Sequence, residues 1–204
     1  MSSNLTRFTR RSVMAMGAAL AALPFLPGEA HALTVAEARG LIDRVVADVN
    51  SVINSGRSEA QMISDFESIL VRYADVPIIA QSVLGPPARS ASRAQLNTFT
   101  EAFQGYLSRK YGRRFREFIG GEIIVTEGRA VQSFFEVIST VNLRGEAPFE
   151  LRWLVSDRSG QDRFFNLIIE GVNLMVTERT EIGAMLDRRN GDIDALTADL
   201  RNAG

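Results

Sequence analysis

The spacing of the apolar residues changes at Gly120-Gly121, and this change limits the possible folds more than any other feature of the sequence. Residues 33–118 place apolar side chains three and four positions apart, which is typical of amphipathic helices. Residues 122–176 instead form short runs rich in β-branched and aromatic residues, which indicates strands. The tail, from residue 178, returns to helical spacing. Helices, then a meander of strands, then helices predict an α+β fold in which a curved antiparallel sheet of four to five strands packs against helices.

Signals at the segment ends give approximate boundaries. A Ser or Thr followed three residues later by Glu or Gln satisfies two backbone donors reciprocally and opens a helix. Three such boxes occur, at Thr34, Ser58 and Ser92, and the helix after Ser92 is predicted to be the longest, ending near residue 118. Asp75 with Pro77 predicts the start of a short helix. The predicted strands are 122–127, 131–143, 149–156 and 163–176, with a hairpin turn at 157–160, and the predicted tail helices are 178–189 and 192–201.

The first 32 residues predict export from the cytoplasm. Three arginines precede an apolar stretch at 13–26, and Ala30-His31-Ala32 then matches a small-residue cleavage pattern, which is the order of a secretory signal peptide. Arg10-Arg11 also fits a twin-arginine signal, so the general secretory and twin-arginine routes both stay open. We therefore expect a periplasmic mature chain, residues 33–204, that folds as a single domain.

Composition excludes several classes of function for the mature chain. The sequence contains no cysteine, and its one histidine lies inside the predicted signal peptide. Thiolate nucleophiles, histidine-based triads and histidine-ligated metals are therefore excluded. The balance of 23 basic and 24 acidic side chains argues against a nucleic-acid partner, which would require a basic surface. We expect no cofactor and no metal.

The predicted long helix carries one aromatic stripe and one basic run, and each has two interpretations. The stripe is either ordinary core or the wall of a cavity, and periodicity does not distinguish them. The basic run is either a solvated helix face or a contact for phosphate groups or acidic partners. The stripe comprises Phe99, Phe103, Tyr106, Tyr111, Phe115 and Phe118, and the run comprises Arg109, Lys110, Arg113, Arg114 and Arg116.

Carboxylate chemistry has little support in the sequence. Glu178 and Glu181 are three residues apart and can share a helix face, but we expect them to be exposed to solvent. We find no convincing pair for acid–base catalysis.

Three stretches, in order, resemble the MlaC family, the periplasmic phospholipid-binding proteins of an ABC transport system that are also called toluene-tolerance auxiliary proteins. They are residues 73–85, with the sequence YADVPIIAQSVLG, the Ser92 box with its aromatic stripe, and residues 169–174, IEGVNL, followed by Arg179. The chain departs from the family pattern where Asp, Ser and Tyr are usual, and the residues at those positions are Asn166, Asn173 and Glu178.

The resemblance implies a cystatin-like (nuclear transport factor 2-like) roll with an extended helical part and a deep apolar pocket for phospholipid tails. It implies a non-enzymatic, monomeric carrier that exchanges lipid with an inner-membrane ABC transporter complex of MCE type and an outer-membrane lipoprotein–porin complex, and so maintains outer-membrane lipid asymmetry. The predicted lipid-binding wall consists of Phe99, Phe103, Leu107, Tyr111, Val137, Val141, Leu151, Trp153, Ile168 and Val172.

Two alternatives stay open. A small-molecule enzyme on a related roll would use carboxylate or tyrosine chemistry, and a buried ionisable group at the base of the cavity would favour it. A ligand-free periplasmic assembly factor would have a filled core without a cavity.

Overall fold

A computed structural model describes residues 33–204, except for the side chains of Phe115 and Arg116. The predicted signal peptide lies outside this range and stays a prediction. The helices are α1 (Val35–Ile53), α2 (Glu59–Tyr73), α3 (Val76–Leu84), α4 (Arg93–Gly112), α5 (Leu174–Arg188) and α6 (Ile193–Leu200), with short 3-10 helices at Pro86–Arg89 and Arg113–Phe118. The strands are β1 (Glu122–Val131), β2 (Phe134–Asn142), β3 (Phe149–Ser156), β4 (Arg163–Ile169) and β5 (Val172–Asn173).

The helix starts predicted from the three capping boxes and from Asp75 are confirmed. In each capping box the hydroxyl accepts from the backbone three residues later, and the Glu or Gln side chain accepts from the cap backbone. Asp75 caps α3 through Ile78. The prediction of a continuous helix to residue 118 was wrong, because the α-helical part ends at Gly112 and a 3-10 helix follows. Gly112 lies so close to α2 that an added Cβ would be 2.9 Å from the Ile63 side chain, so α4 crosses α2 there.

The five strands form one antiparallel sheet in sequence order, which confirms the predicted α+β class. Two strand predictions were wrong. The predicted end of the first strand at Gly128 is wrong, because β1 continues to Val131. The turn follows at Gln132, which has φ 46°. Strand β4 ends at Ile169, because Glu170 (φ 48°) and Gly171 (φ 82°) form a left-handed turn, and α5 begins at Leu174 instead of residue 178.

The sheet has one face toward the helices. Helix α1 packs on β1, β2 and β3, while α3 and α5 pack on β4. Helix α4 has its main packing partners among the helices α2, α3 and α6. The apolar side chains of both layers belong to one hydrophobic cluster. The helical layer containing α4 and the sheet therefore share an interior, although α4 packs chiefly on other helices.

The break between α2 and α3 joins the helices to the sheet. Ala74 forms a parallel bridge with Phe164 on β4, and the Asp75 N–H donates to the Phe164 carbonyl at 2.8 Å. Arg163, the residue before Phe164, donates to backbone carbonyls at the end of α2, and the shortest of these bonds is 2.7 Å to the Val71 carbonyl. These bonds satisfy carbonyls that the helix end leaves without partners.

Helix α1 also covers the free edge of β1. The Asn50 side chain donates to the Ile123 carbonyl at 3.0 Å and accepts from the Ile123 N–H at 3.1 Å. The Arg39 guanidinium donates at 3.3 Å to the carbonyls of Val125 and Thr126, where β1 is bulged. Side chains of α1 thus occupy backbone groups that a sixth strand would pair with.

Candidate functional site

Helix α4 carries a buried row of aromatic rings. Phe99 and Phe103 are fully buried and stack with ring centres 5.7 Å apart, and Tyr106 continues the row 6.1 Å from Phe103. Their three- and four-residue spacing places the rings on one face of the helix. Leu107 is buried beside them. The row makes an apolar wall that becomes polar at its Tyr106 end.

The sheet contributes the second set of predicted wall residues. Val137 and Val141 on β2 are fully buried, and Val137 is the register partner of Trp153. The Trp153 indole packs edge-on against Phe164 with ring centres 5.4 Å apart, and its N–H donates to the buried Ser139 hydroxyl at 3.0 Å. Because that bond satisfies both polar groups, this face of the sheet is apolar toward the helices.

Eight of the ten predicted wall residues lie in the hydrophobic cluster or pack against it, with Tyr111 only partly buried. Ile168 and Val172 do not, and for these two the predicted burial in the interior was wrong. Val172 lies on the two-residue edge strand and exposes 54% of its surface. Ile168 pairs with Arg152 on the outer face, whereas its neighbours Leu167 and Ile169 pack on the cluster.

A charged cluster, formed by Tyr106, Lys110, Tyr111, Glu178 and Glu181, closes the polar end of the aromatic row. The Lys110 ammonium donates to Glu178 Oε1 at 2.7 Å, to Glu181 Oε2 at 2.6 Å and to the Tyr106 hydroxyl at 2.9 Å. The Tyr106 hydroxyl donates to Glu181 Oε1 at 2.7 Å, and that of Tyr111 donates to Glu178 Oε1 at 2.5 Å. The cluster therefore ties α5 to α4.

The expectation that both glutamates are exposed was wrong for Glu178, which is 3% exposed. The Glu181 side chain is 46% exposed and Lys110 23%, so the cluster extends from solvent into the interior. Helical spacing alone did not reveal this burial, because it depends on the packing of α5 against Lys110 and Tyr111 of α4.

The electrostatics of the charged cluster stabilise its resting charges. Burial raises the pKa of both Tyr106 and Tyr111, and hydrogen bonds to the glutamates raise it further. Partial burial acts to lower the pKa of Lys110, but bonds to Glu178 and Glu181 outweigh it and the pKa is raised. Burial acts to raise the pKa of Glu181, but bonds from Lys110 and Tyr106 outweigh it and the pKa is lowered. Such shifts favour ion pairing over proton transfer near neutral pH.

The basic run divides into residues with different surroundings. Arg109 donates to the carbonyls of Ala203 at 2.8 Å and Leu200 at 2.6 Å, so it fixes the C-terminal end of the chain on α4. Lys110 belongs to the charged cluster, and Arg113 and Arg114 are exposed. The side chain of Arg116 lies outside the described residues.

Two departures from the family pattern serve the start of α5. Asn173 caps the helix by accepting from the Val176 N–H at 3.2 Å. Asn166 on β4 accepts from the Met175 N–H at 3.1 Å and donates to Asn173 Oδ1 at 2.9 Å. Together they satisfy two first-turn donors and hold α5 on β4.

Two of the motifs that carry the resemblance meet in space. Gly85 ends α3 with φ 71°, and the exposed Arg179 guanidinium lies against it, 3.2 Å from where a Cβ would stand. The positive φ of Gly85 is a conformation that favours glycine at this position.

A groove of about 520 Å³ lies between α2 and α4, lined by Ser64, Glu67, Ser68, Val71, Arg72 and Gln104, and the predicted wall residues are not part of it. Within residues 33–204, no cluster of acidic or histidine side chains has the composition of a metal site. No helix in that range is both long and apolar enough to cross a membrane.

Comparison with known proteins agrees with this architecture. Among solved structures, the chain is similar to a phospholipid-binding protein from Ralstonia solanacearum solved in complex with a phospholipid. The TM-score is 0.67 at 22% sequence identity, and the match covers 80% of this chain and 98% of the other. At that identity the likeness establishes the fold. The model of the family described as MlaC protein matches residues 42–202, and the chain therefore belongs to the MlaC family.

Proposed function

We propose that the protein is a periplasmic phospholipid carrier, without catalytic activity, that shields acyl chains in the apolar interior between α4 and the sheet. The observation that carries the proposal is that the stacked α4 row and the inner face of the sheet belong to one hydrophobic cluster, although α4 packs chiefly on other helices. Membership in the MlaC family and the phospholipid in the Ralstonia relative support the choice of ligand.

The energetics suit a carrier. Removing a methylene from water contributes about 0.8 kcal/mol, so a lipid with two acyl chains does not stay in water unshielded. Extraction from a bilayer costs nearly the same amount per methylene. The net free energy of binding then depends on the small difference between the lipid tails in the protein and in the bilayer. A partner complex can therefore load or unload the protein with little energy. Such a carrier would shuttle lipid between an inner-membrane MCE-type ABC transporter complex and an outer-membrane lipoprotein–porin complex.

The charged cluster is the feature that a small-molecule enzyme would need, but its arrangement favours a binding role. Each of the two tyrosine hydroxyls donates to a glutamate. The Lys110 ammonium donates its three hydrogen bonds to other members of the cluster. The proposal therefore gives the cluster no catalytic step.

Native mass spectrometry of the purified mature protein tests the proposal, with extraction and identification of any bound lipid. Phe103→Asp places a carboxylate in the fully buried row and should abolish lipid retention, because a charge in an apolar interior is costly. Val172→Asp is the matched control, since Val172 is exposed and should tolerate the same change. Wild-type protein that stays lipid-free after incubation with vesicles would refute the carrier function. If Phe103→Asp folds and keeps full lipid occupancy, α4 does not line the lipid-binding interior.

A further inference from the structure

The stacked α4 row leads directly into the charged cluster. Tyr106 is the third ring of the row, and its hydroxyl bonds Glu181. An amphipathic molecule with apolar chains along Phe99 and Phe103 would therefore have its polar end near Lys110 and Glu178. This geometry relates the cluster to the headgroup of the proposed ligand.

One buried oxygen in the cluster lacks a partner. Glu178 Oε1 accepts from both Lys110 and Tyr111, but Glu178 Oε2 finds no hydrogen-bond donor among the side chains and backbone that the structure describes. The side chain is only 4% exposed. A buried carboxylate oxygen without a donor is strongly unfavourable, and such groups are rare in folded proteins. The oxygen is therefore suited to a donor that the described residues do not supply.

The surroundings select a cationic donor. The two glutamates and Lys110 leave one excess negative charge in the cluster. The rings of Tyr106 and Tyr111 already lie 5.2 Å and 5.6 Å from the Lys110 ammonium, a geometry in which aromatic faces attract cations. The exposed part of Glu181 opens the cluster to solvent on one side.

We propose, on the basis of the carrier function above, that Glu178 Oε2 accepts a hydrogen bond from the primary ammonium of a phosphoethanolamine headgroup. A phosphoglycerol headgroup offers hydroxyls in place of the ammonium and adds a net negative charge to a cluster that already has one. The protein therefore prefers phosphoethanolamine lipids.

The test loads lipid-free protein from vesicles that contain equal amounts of phosphatidylethanolamine, phosphatidylcholine and phosphatidylglycerol with identical acyl chains. Bound lipids are extracted and quantified by mass spectrometry. We expect about tenfold enrichment of phosphatidylethanolamine over phosphatidylglycerol, equivalent to about 1.4 kcal/mol. Phosphatidylcholine should be depleted relative to phosphatidylethanolamine, because its trimethylammonium group has no N–H donor. Bound lipids in vesicle proportions, or equal binding of the choline and ethanolamine lipids, would overturn the inference.

Glu178→Gln should remove the preference, because the amide can keep an oxygen toward Lys110 and Tyr111 while an NH₂ donor replaces Oε2. Glu67→Gln is the charge-matched control, since Glu67 accepts from Gln104 on α4 but lies outside the charged cluster. It should keep the wild-type lipid ratio, and an equal loss of preference in both variants would contradict the site. If Glu178→Gln does not fold, the ratio of lipids bound by the wild-type protein alone tests the headgroup preference. Absence of any bound lipid would refute the carrier function, whereas unselective binding refutes only the headgroup site.

Discussion

Replacing Lys110 by Met should destabilise the protein by about 2–3 kcal/mol. The substitution leaves Glu178, which is 3% exposed, without its cation. Breaking a fully buried ion pair from one side costs about 3–5 kcal/mol. The cost should be smaller here, because the side chains of Lys110 and Glu181 are 23% and 46% exposed and water screens part of the interaction. For a chain of this length the melting temperature should fall by about 4–12 °C.

Urea unfolding followed by tryptophan fluorescence measures this loss, because the chain has one tryptophan and Trp153 is 4% exposed. The midpoint should fall with an unchanged slope. Arg57→Met is the matched control, since it breaks an exposed pair with Asp65 and should change stability by under about 0.5 kcal/mol. Adding Glu178→Gln to Lys110→Met should recover at least about 1 kcal/mol, because it removes the unpaired charge. A loss below about 0.5 kcal/mol for Lys110→Met, or simple additivity in the double variant, would refute the reasoning.

Three further predictions concern stability. The lowered pKa of Glu181 means that its contribution is present above about pH 5 and is lost as the pH falls below about 4, so urea midpoints should fall less between pH 6 and pH 3 in Lys110→Met than in the wild type. Asn166→Ala removes an acceptor from the first turn of α5 and should cost about 1 kcal/mol, with faster hydrogen exchange of that turn than in the wild type. Gly112→Ala should cost about 1–3 kcal/mol in a thermal melt, because the new Cβ would lie 2.9 Å from Ile63, and an unchanged melting temperature would show that α2 and α4 separate easily.

Local signals predicted most of the fold. The capping boxes fixed three helix starts because they depend on side chain–backbone bonds within four residues. Strict alternation placed Leu151 and Trp153 of β3 on the core face for the same local reason. The order of helical and strand segments then determined the α+β class.

The errors lie where distant contacts override local patterns. Leu167, Ile168 and Ile169 are all apolar, so alternation could not show which of them faces the helices. A bulge in β4 itself shifts the pairing by one residue, because Phe164 pairs with Val155 and Asn166 with Leu154, which leaves Phe165 as the extra residue. Likewise, the apolar run after Gly171 has the composition of a strand, but the Asn173 cap turns it into a helix.

The candidate site was only partly predictable for a similar reason. The aromatic row follows from helix periodicity within α4. The burial of Glu178 depends on how α5 docks against Lys110 and Tyr111, which are about seventy positions earlier in the chain. No short sequence window contains that information.

The coverage of β1 by α1 has a consequence for partner recognition. The Asn50 amide acts as a substitute peptide group for Ile123, and Arg39 occupies the carbonyls of Val125 and Thr126. Binding by strand addition requires a row of free backbone donors and acceptors, and along 123–126 several of these groups are already engaged. A protein that docks at this edge is therefore expected to recognise side-chain surfaces and to leave β1 unpaired, so that docking there does not lengthen the sheet and release does not require a strand to be removed.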